Sequence, residues 1–171
     1  MANYNAAVAL GQATGTTPDV AKVRHYSSRP GVALNLEQQI APDLGLFARA
    51  SLDNGEKEEY AFTDIDQSIS AGISVKGDRW HRPDDTFGLA GAVNSISPQA
   101  RSYFAAGGLG GIIGDGQLPR YGLERILEVY YKLSIIEGLN LTLDYQHVVN
   151  PAYDAVRGPV EIFAFRVHAE F

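Results

Sequence analysis

The sequence predicts an all-β protein, an antiparallel transmembrane β-barrel of about eight strands. Three observations predict it: apolar and polar residues alternate along most of the chain, long and short connections follow each other in turn, and no apolar run reaches the length of a membrane-spanning helix. Successive side chains of a strand point to opposite faces, so this alternation gives each strand one face for lipid and one for water.

The clearest alternation lies at the carboxyl-terminal end of the chain. Residues 161–171 place aromatic and aliphatic side chains at every second position, and residues 138–148 repeat the pattern with leucines. A strand of this length and periodicity is the unit of a membrane barrel, where the apolar face meets lipid. The predicted membrane-facing residues are Leu139, Leu141, Leu143, Phe163, Phe165, Val167 and Phe171.

Other segments show the same period and complete a set of eight candidate strands. They are residues 126–135, 86–96, 64–75, 44–52 and 32–40, and a short opening strand over residues 4–10. An even number of strands predicts that both ends of the barrel wall lie on the same side of the membrane.

The connections between these segments alternate in length. Residues 11–31, 54–63, 97–124 and 149–160 form long connections, whereas residues 41–43, 76–85 and 137–138 form shorter ones. Outer-membrane barrels have short periplasmic turns and longer extracellular loops, so the long connections are predicted to be extracellular and both termini periplasmic. Within one long loop, Ser97 followed by Pro98 predicts a short helix over residues 98–106.

The polar positions of the strands predict a water-filled interior. Mixed charges and amides there can replace the hydration of a sugar, and aromatic rings can stack on it. The predicted lumen-facing residues of this substrate path are Glu37, Arg49, Asp66, Glu128, Lys132, Asp144, Arg166 and Glu170.

Composition and motif searches argue against other classes of function. The chain has no cysteine and a formal net charge of -6, which excludes thiolate chemistry and gives no basic surface for nucleic acid. The four histidines are scattered, and the glycine-rich stretch 107–116 does not fit a nucleotide-binding motif. It is interpreted instead as a flexible or inward-folded extracellular loop. We therefore predict no enzymatic activity, no metal site and no cofactor.

Several longer motifs resemble a known family. They are RPDDTFGLA (82–90), YFAAGGLGGIIGDG (103–116), LDYQ (143–146), NPAY (150–153), RGPV (157–160) and the ending VHAEF (167–171). Together they resemble the carboxyl-terminal half of the OprB-type carbohydrate-selective porins. The resemblance implies a bacterial outer-membrane barrel of sixteen strands that lets sugars diffuse through a polar pore. It also implies contact with outer-membrane lipids, and with the barrel-assembly machinery through the last strand.

The chain departs from this family in carrying only about half of the strands. Residues 1–171 form either a single closed barrel, one partner of a homo-oligomer that rebuilds a wide pore, or the carboxyl-terminal half-barrel of a longer porin. Eight strands enclose a lumen that their own side chains fill, whereas sixteen leave a channel. The chain starts without a basic and then apolar signal segment, so the signal has been removed or the sequence is a piece of a longer chain.

A soluble alternative remains open on the sequence alone. An eight-stranded lipocalin-like module for small molecules has the same alternation, with its apolar face turned inward. The two hypotheses differ in the surroundings of Leu139, Leu141 and Leu143, which contact lipid in a membrane barrel and are buried in a soluble one.

Overall fold

The computed structural model describes residues 1–59, 64–110 and 118–170. Seven strands form one antiparallel sheet in chain order, each strand pairing with the next. They are β1 (Gly31–Ala41), β2 (Leu44–Asp53), β3 (Gln67–Gly77), β4 (Arg82–Ser95), β5 (Glu124–Ile136), β6 (Leu139–Val149) and β7 (Val160–Ala169). The all-β antiparallel prediction is confirmed. Among the described residues, no pairing joins β1 to β7, so the sheet is open.

The predicted opening strand over residues 4–10 is wrong, because this segment forms helix α1 (Tyr4–Thr14). Asn3 caps the helix by accepting a hydrogen bond from the backbone N–H of Ala6 at 3.1 Å. Gly15 ends it with a left-handed φ of 64°. Three of the seven residues 4–10 are alanine, which has the highest helix propensity, and the Asn3 cap favours a helix start here.

In the described ranges, a second α-helix and two short 3-10 helices lie between the strands, and a third 3-10 helix precedes β1. The second helix, α2 (Pro98–Ala105), confirms the prediction for residues 98–106, and the Ser97 hydroxyl caps it as expected by accepting from the N–H of Ala100 at 3.0 Å. The 3-10 helices are Val20–Val23, Asp78–Trp80 and Pro151–Tyr153. No helix in the described ranges is long and apolar enough to cross a membrane. The predicted loop over residues 107–116 falls largely outside the described residues.

The connections sort by length onto the two ends of the sheet. Residues 42–43, 78–81 and 137–138 connect strands at one end, which we call the short-turn end. The connections of residues 54–66, 96–123 and 150–159 lie at the other, the long-loop end. The turn assigned to residues 76–85 is shorter than predicted because β3 and β4 extend into it. Because there are seven strands, the sheet begins and ends at opposite ends, which corrects the prediction of both termini on one side.

A small hydrophobic core lies at the long-loop end rather than within the sheet. Helices α1 and α2 pack together there, and the rings of Tyr4, Tyr103 and Phe104 meet with centroids 5.0 to 6.1 Å apart. Tyr153 joins this core and donates a hydrogen bond to the carbonyl of Asp64 at 2.6 Å. The long loops are therefore packed against one another and against the N-terminal helix.

A buried ion cluster connects the segment before β1 to the long-loop end of the sheet. The guanidinium of Arg29 is 4% exposed and pairs with Asp53 at 2.7 Å, Glu59 at 2.5 Å and Asp66. Asp66 also accepts from the backbone N–H of Ser97 at 2.5 Å, at the start of α2. The segment before β1, the end of β2 with its connection to β3, and the start of α2 thus meet at this cluster.

A second ion pair, between Arg24 and Glu58, holds the first residues of the chain in place. Glu58 accepts from the backbone N–H of Ala2 at 2.8 Å and from Arg24 at 2.7 and 2.8 Å. Burial alone would raise the pKa of the Glu58 carboxyl, but these hydrogen bonds outweigh that effect and hold its pKa below the ordinary value. The carboxylate therefore stays charged at neutral pH and keeps the N-terminus docked.

Replacing Arg29 with methionine tests the ion cluster. The change keeps an unbranched stem similar to the aliphatic part of arginine but leaves three carboxylates close together without a cation. Removing one partner of a buried ion pair costs about 3–5 kcal/mol of the free energy of unfolding. Urea unfolding in detergent micelles, followed by the fluorescence of the single tryptophan, measures it.

Arg79→Met is the matched control. Arg79 pairs with Asp43 at 2.5 Å, but its side chain is 63% exposed, so its loss should leave the free energy of unfolding nearly unchanged. Equal destabilisation by the two variants would contradict a structural role for the buried cluster.

Candidate functional site

The pairing register sorts the strand residues onto two faces of the sheet. On one face Asn35 lies opposite Arg49, and Lys132 lies opposite Thr142, which in turn lies opposite Arg166. On the other, Leu143 lies between Tyr131 and Phe165. We call these the polar face and the apolar face.

Six of the eight predicted lumen residues share the polar face. They are Glu37, Arg49, Glu128, Lys132, Asp144 and Arg166. Asp66 differs, because it precedes β3 and is buried beside Arg29. Glu170 lies beyond the end of β7, where it pairs with His168 at 2.9 Å.

The predicted membrane-facing residues of β6 and β7 share the apolar face, as the register shows for Leu139, Leu141, Leu143, Phe163, Phe165 and Val167. Phe171 lies outside the described residues. Phe163 is 78% exposed and Phe165 76% exposed. In central β3, Ile69 is exposed while the neighbouring Ser68 and Ser70 are half-buried. Further along β3, Ser74 is exposed and Ile73 half-buried, and β7 is exposed on both faces. The apolar side chains of β7 therefore lie on the surface, whereas the soluble alternative requires them to be buried.

An ion pair occupies the polar face over β1 and β2. The Arg49 guanidinium donates to Asn35 at 3.0 Å and to the Glu37 carboxylate at 3.0 Å. It also lies 5.2 Å from the centroid of the Phe47 ring. The positive charge of this arginine is therefore compensated within the wall.

A groove crosses the polar face over β5, β6 and β7. Its volume is about 540 Å³, and four predicted lumen residues line it together with an aromatic ring, a hydroxyl and an amide. The lining polar residues are Glu128, Tyr130, Lys132, Thr142, Asp144, Gln146 and Arg166. The groove thus combines charges of both signs with neutral donors and acceptors.

Glycines in the two central strands make room for aromatic rings on the polar face. A Cβ added at Gly72 would lie 2.5 Å from the Phe47 ring, and one added at Gly88 would overlap the Tyr130 ring. Phe47, from β2, thus lies over the glycine backbone of β3, and Tyr130, from β5, lies over that of β4. Sequence analysis did not select either aromatic residue, because the matching glycine lies on a neighbouring strand and only the register shows the pair.

These groups suit a polyhydroxylated solute. Carboxylates and amides accept hydrogen bonds from hydroxyls, cationic side chains donate them, and an aromatic ring covers the apolar face of a sugar. Asp53, Glu59 and Asp66 also hold carboxylate oxygens within 4.8 Å of one another, but Arg29 already pairs with all three, so we assign no metal to this cluster.

Gly88→Ala tests the placement of the Tyr130 ring. The added methyl group would force the ring or the strand to move, and overpacking of this kind costs about 1–3 kcal/mol of the free energy of unfolding. Urea unfolding of the refolded protein measures the effect. Gly45→Ala is the control on the same face, since the nearest atom to its Cβ lies 3.9 Å away. An equal cost for both variants would show that the ring does not lie over Gly88.

Comparisons with known proteins agree with this architecture. The family model described as carbohydrate-selective porin, OprB family, matches residues 2–171. A solved structure entitled high pH structure of Pseudomonas putida OprB superposes with a TM-score of 0.70 at 19% sequence identity. The match covers 85% of this chain and 36% of that chain, so this chain spans about a third of its length. A comparison with curated proteins found no match. The resemblance noted in the sequence is confirmed: the chain belongs to the carbohydrate-selective porin family OprB.

Proposed function

We propose that this chain forms part of the wall of a bacterial outer-membrane pore through which carbohydrates diffuse passively. The observation that carries the proposal is the polarity of the sheet, whose apolar face is exposed while its polar face holds the groove. Transmembrane barrels have this arrangement, with apolar side chains towards lipid and polar ones towards the lumen. The role is that of a channel wall rather than an enzyme.

Outer-membrane lipids cover the apolar face in this proposal. Leu143 and Phe165 pair near the middle of β6 and β7, and Leu141 and Val167 pair nearer the short-turn end. Nine residues along β5, from Leu127 to Ile135, span about 27 Å of strand at about 3.4 Å per residue. Tilted by about 35–45°, this stretch crosses about 19–22 Å, most of an apolar band of about 25 Å.

The polar face forms the path of the sugar. Tyr130 supplies a ring for stacking, and the carboxylates of Glu128 and Asp144 accept hydrogen bonds from hydroxyl groups. Such contacts replace the hydration of the sugar as it passes, so the energy barrier is low and no binding step needs to be tight.

Further strands must complete the ring. Because seven is odd, β1 and β7 run in the same direction, and direct pairing between them would be parallel. In two copies joined with β7 of one beside β1 of the other, these strands would also pair in parallel. We infer that an odd number of additional strands closes an all-antiparallel pore, since an open edge cannot remain in lipid. Barrel-assembly machinery would engage β7, and association with other copies would come after closure.

Cysteine chemistry tests the sugar path, because the chain has no cysteine of its own. In Ala164→Cys, the new thiol lies on the polar face beside the groove. We expect a water-soluble thiol reagent to label it and glucose to slow the labelling, because bound sugar covers the groove. Adding Tyr130→Ala should weaken the protection several-fold through the loss of a stacking surface.

His25→Cys serves as the control, since this exposed residue lies in the N-terminal segment away from the groove. Glucose should leave its labelling rate unchanged. Equal protection at both positions, or none at Ala164→Cys, would contradict a sugar path on this face. Planar-bilayer recordings test transport. An ionic current that added sugar reduces would support it, and the absence of any current would exclude conduction by this chain alone.

A further inference from the structure

Three cations lie in one row across the polar face near the short-turn end. The register pairs Lys76 with Thr86, Thr86 with Lys132, Lys132 with Thr142, and Thr142 with Arg166. We call these five residues the cationic row. Neighbouring strands are about 4.8 Å apart, so successive cations of the row are about 10 Å apart at the backbone. A threonine lies between each pair of cations.

The charges of this row are not compensated within the wall. Across the described parts of the chain, Lys76, Lys132 and Arg166 form no ion pair. Arg49, on the same face, pairs with Glu37 one diagonal step away in the register. Lys132 and Arg166 stand at the same diagonal step from Asp144, yet within the described residues neither forms an ion pair with it. Like charges along one row repel one another, and an anion that comes between them relieves the repulsion.

The acidic groups of the groove lie on the next rows towards the long-loop end. Asp144 and Tyr130 pair one row above Lys132, and Glu128 and Gln146 pair one row further. Two residues along a strand span about 7 Å, so carboxylates and cations occupy separate levels of the same groove. The upper level accepts hydrogen bonds from hydroxyls, while the lower level attracts negative charge.

We propose that this groove prefers sugars that carry one acidic group, such as hexuronates and aldonates, over neutral sugars. The carboxylate of the solute binds between Lys132 and Arg166 and accepts a hydrogen bond from the Thr142 hydroxyl. Its hydroxyl groups point to Asp144, Glu128 and Gln146, with the Tyr130 ring alongside. This inference rests on the proposed function, and it adds the charge class of the solute.

Isothermal titration of the refolded chain in a non-ionic detergent tests the preference with glucuronate, glucose and acetate as probes. We expect glucuronate to bind about tenfold more tightly than glucose, since a hydrogen bond to a charged group contributes about one factor of ten in affinity. Added salt should weaken glucuronate binding and leave glucose binding nearly constant. Acetate should bind more weakly than glucuronate because it lacks hydroxyls.

The double variant Lys132→Gln, Arg166→Gln should bring the ratio of the two sugar affinities close to one. Lys22→Gln is the control: it removes one exposed lysine from a 3-10 helix at the long-loop end, and it should keep the wild-type ratio. If both variants changed the ratio of the two sugar affinities equally, the preference would reflect net charge rather than the cationic row, and the inference would be overturned.

The outcomes separate this inference from the proposed function. Equal wild-type affinities for glucuronate and glucose would overturn the charge preference and leave the sugar path intact. Acetate binding as tight as glucuronate binding would show a plain anion site and overturn the sugar-acid preference. Absence of binding by every probe would count against the sugar path itself.

Discussion

Every strand of this sheet must satisfy two solvents at once, and the rest of the structure depends on that constraint. Side chains alternate between the faces, so a shift of one residue in register would carry Phe165 to the polar face and Arg166 to the apolar one. The turn of residues 137–138 fixes the register of β5 against β6, and the paired faces then continue across the sheet. Groove, cationic row and apolar band are all consequences of one register.

In the described part of the chain, no second layer packs on the faces of this sheet, so the hydrophobic core lies at the long-loop end. Helices α1 and α2 pack there, and Arg29, from the segment before β1, binds three carboxylates from the end of β2 and its connection to β3. Long loops carry a large entropic cost of ordering, which burial of Tyr103 and Phe104 offsets. The sheet thus presents its groove between a packed end and an end of tight turns.

Periodicity predicted much of the fold, because a period of two is visible wherever one face is apolar. It failed over residues 4–10, where the three alanines are compatible with a helix as well as a strand and the Asn3 cap favours the helix. It also placed Asp66 in a strand, since a lone carboxylate gives no sign that Arg29 will bury it. The partnership of Tyr130 with Gly88 and the row joining Lys76 to Arg166 depend on turn lengths and bulges, which alternation does not specify.

Measuring lipid contact along β7 shows directly whether the apolar face of the sheet meets the membrane. Single cysteines at positions 163 to 168, labelled with a fluorophore and reconstituted in bilayers of brominated lipid, report which side chains face acyl chains. We expect quenching at Phe163, Phe165 and Val167 and little at Ala164, Arg166 and His168. Uniform quenching, or quenching at the even positions, would contradict a sheet that presents its apolar face to the membrane.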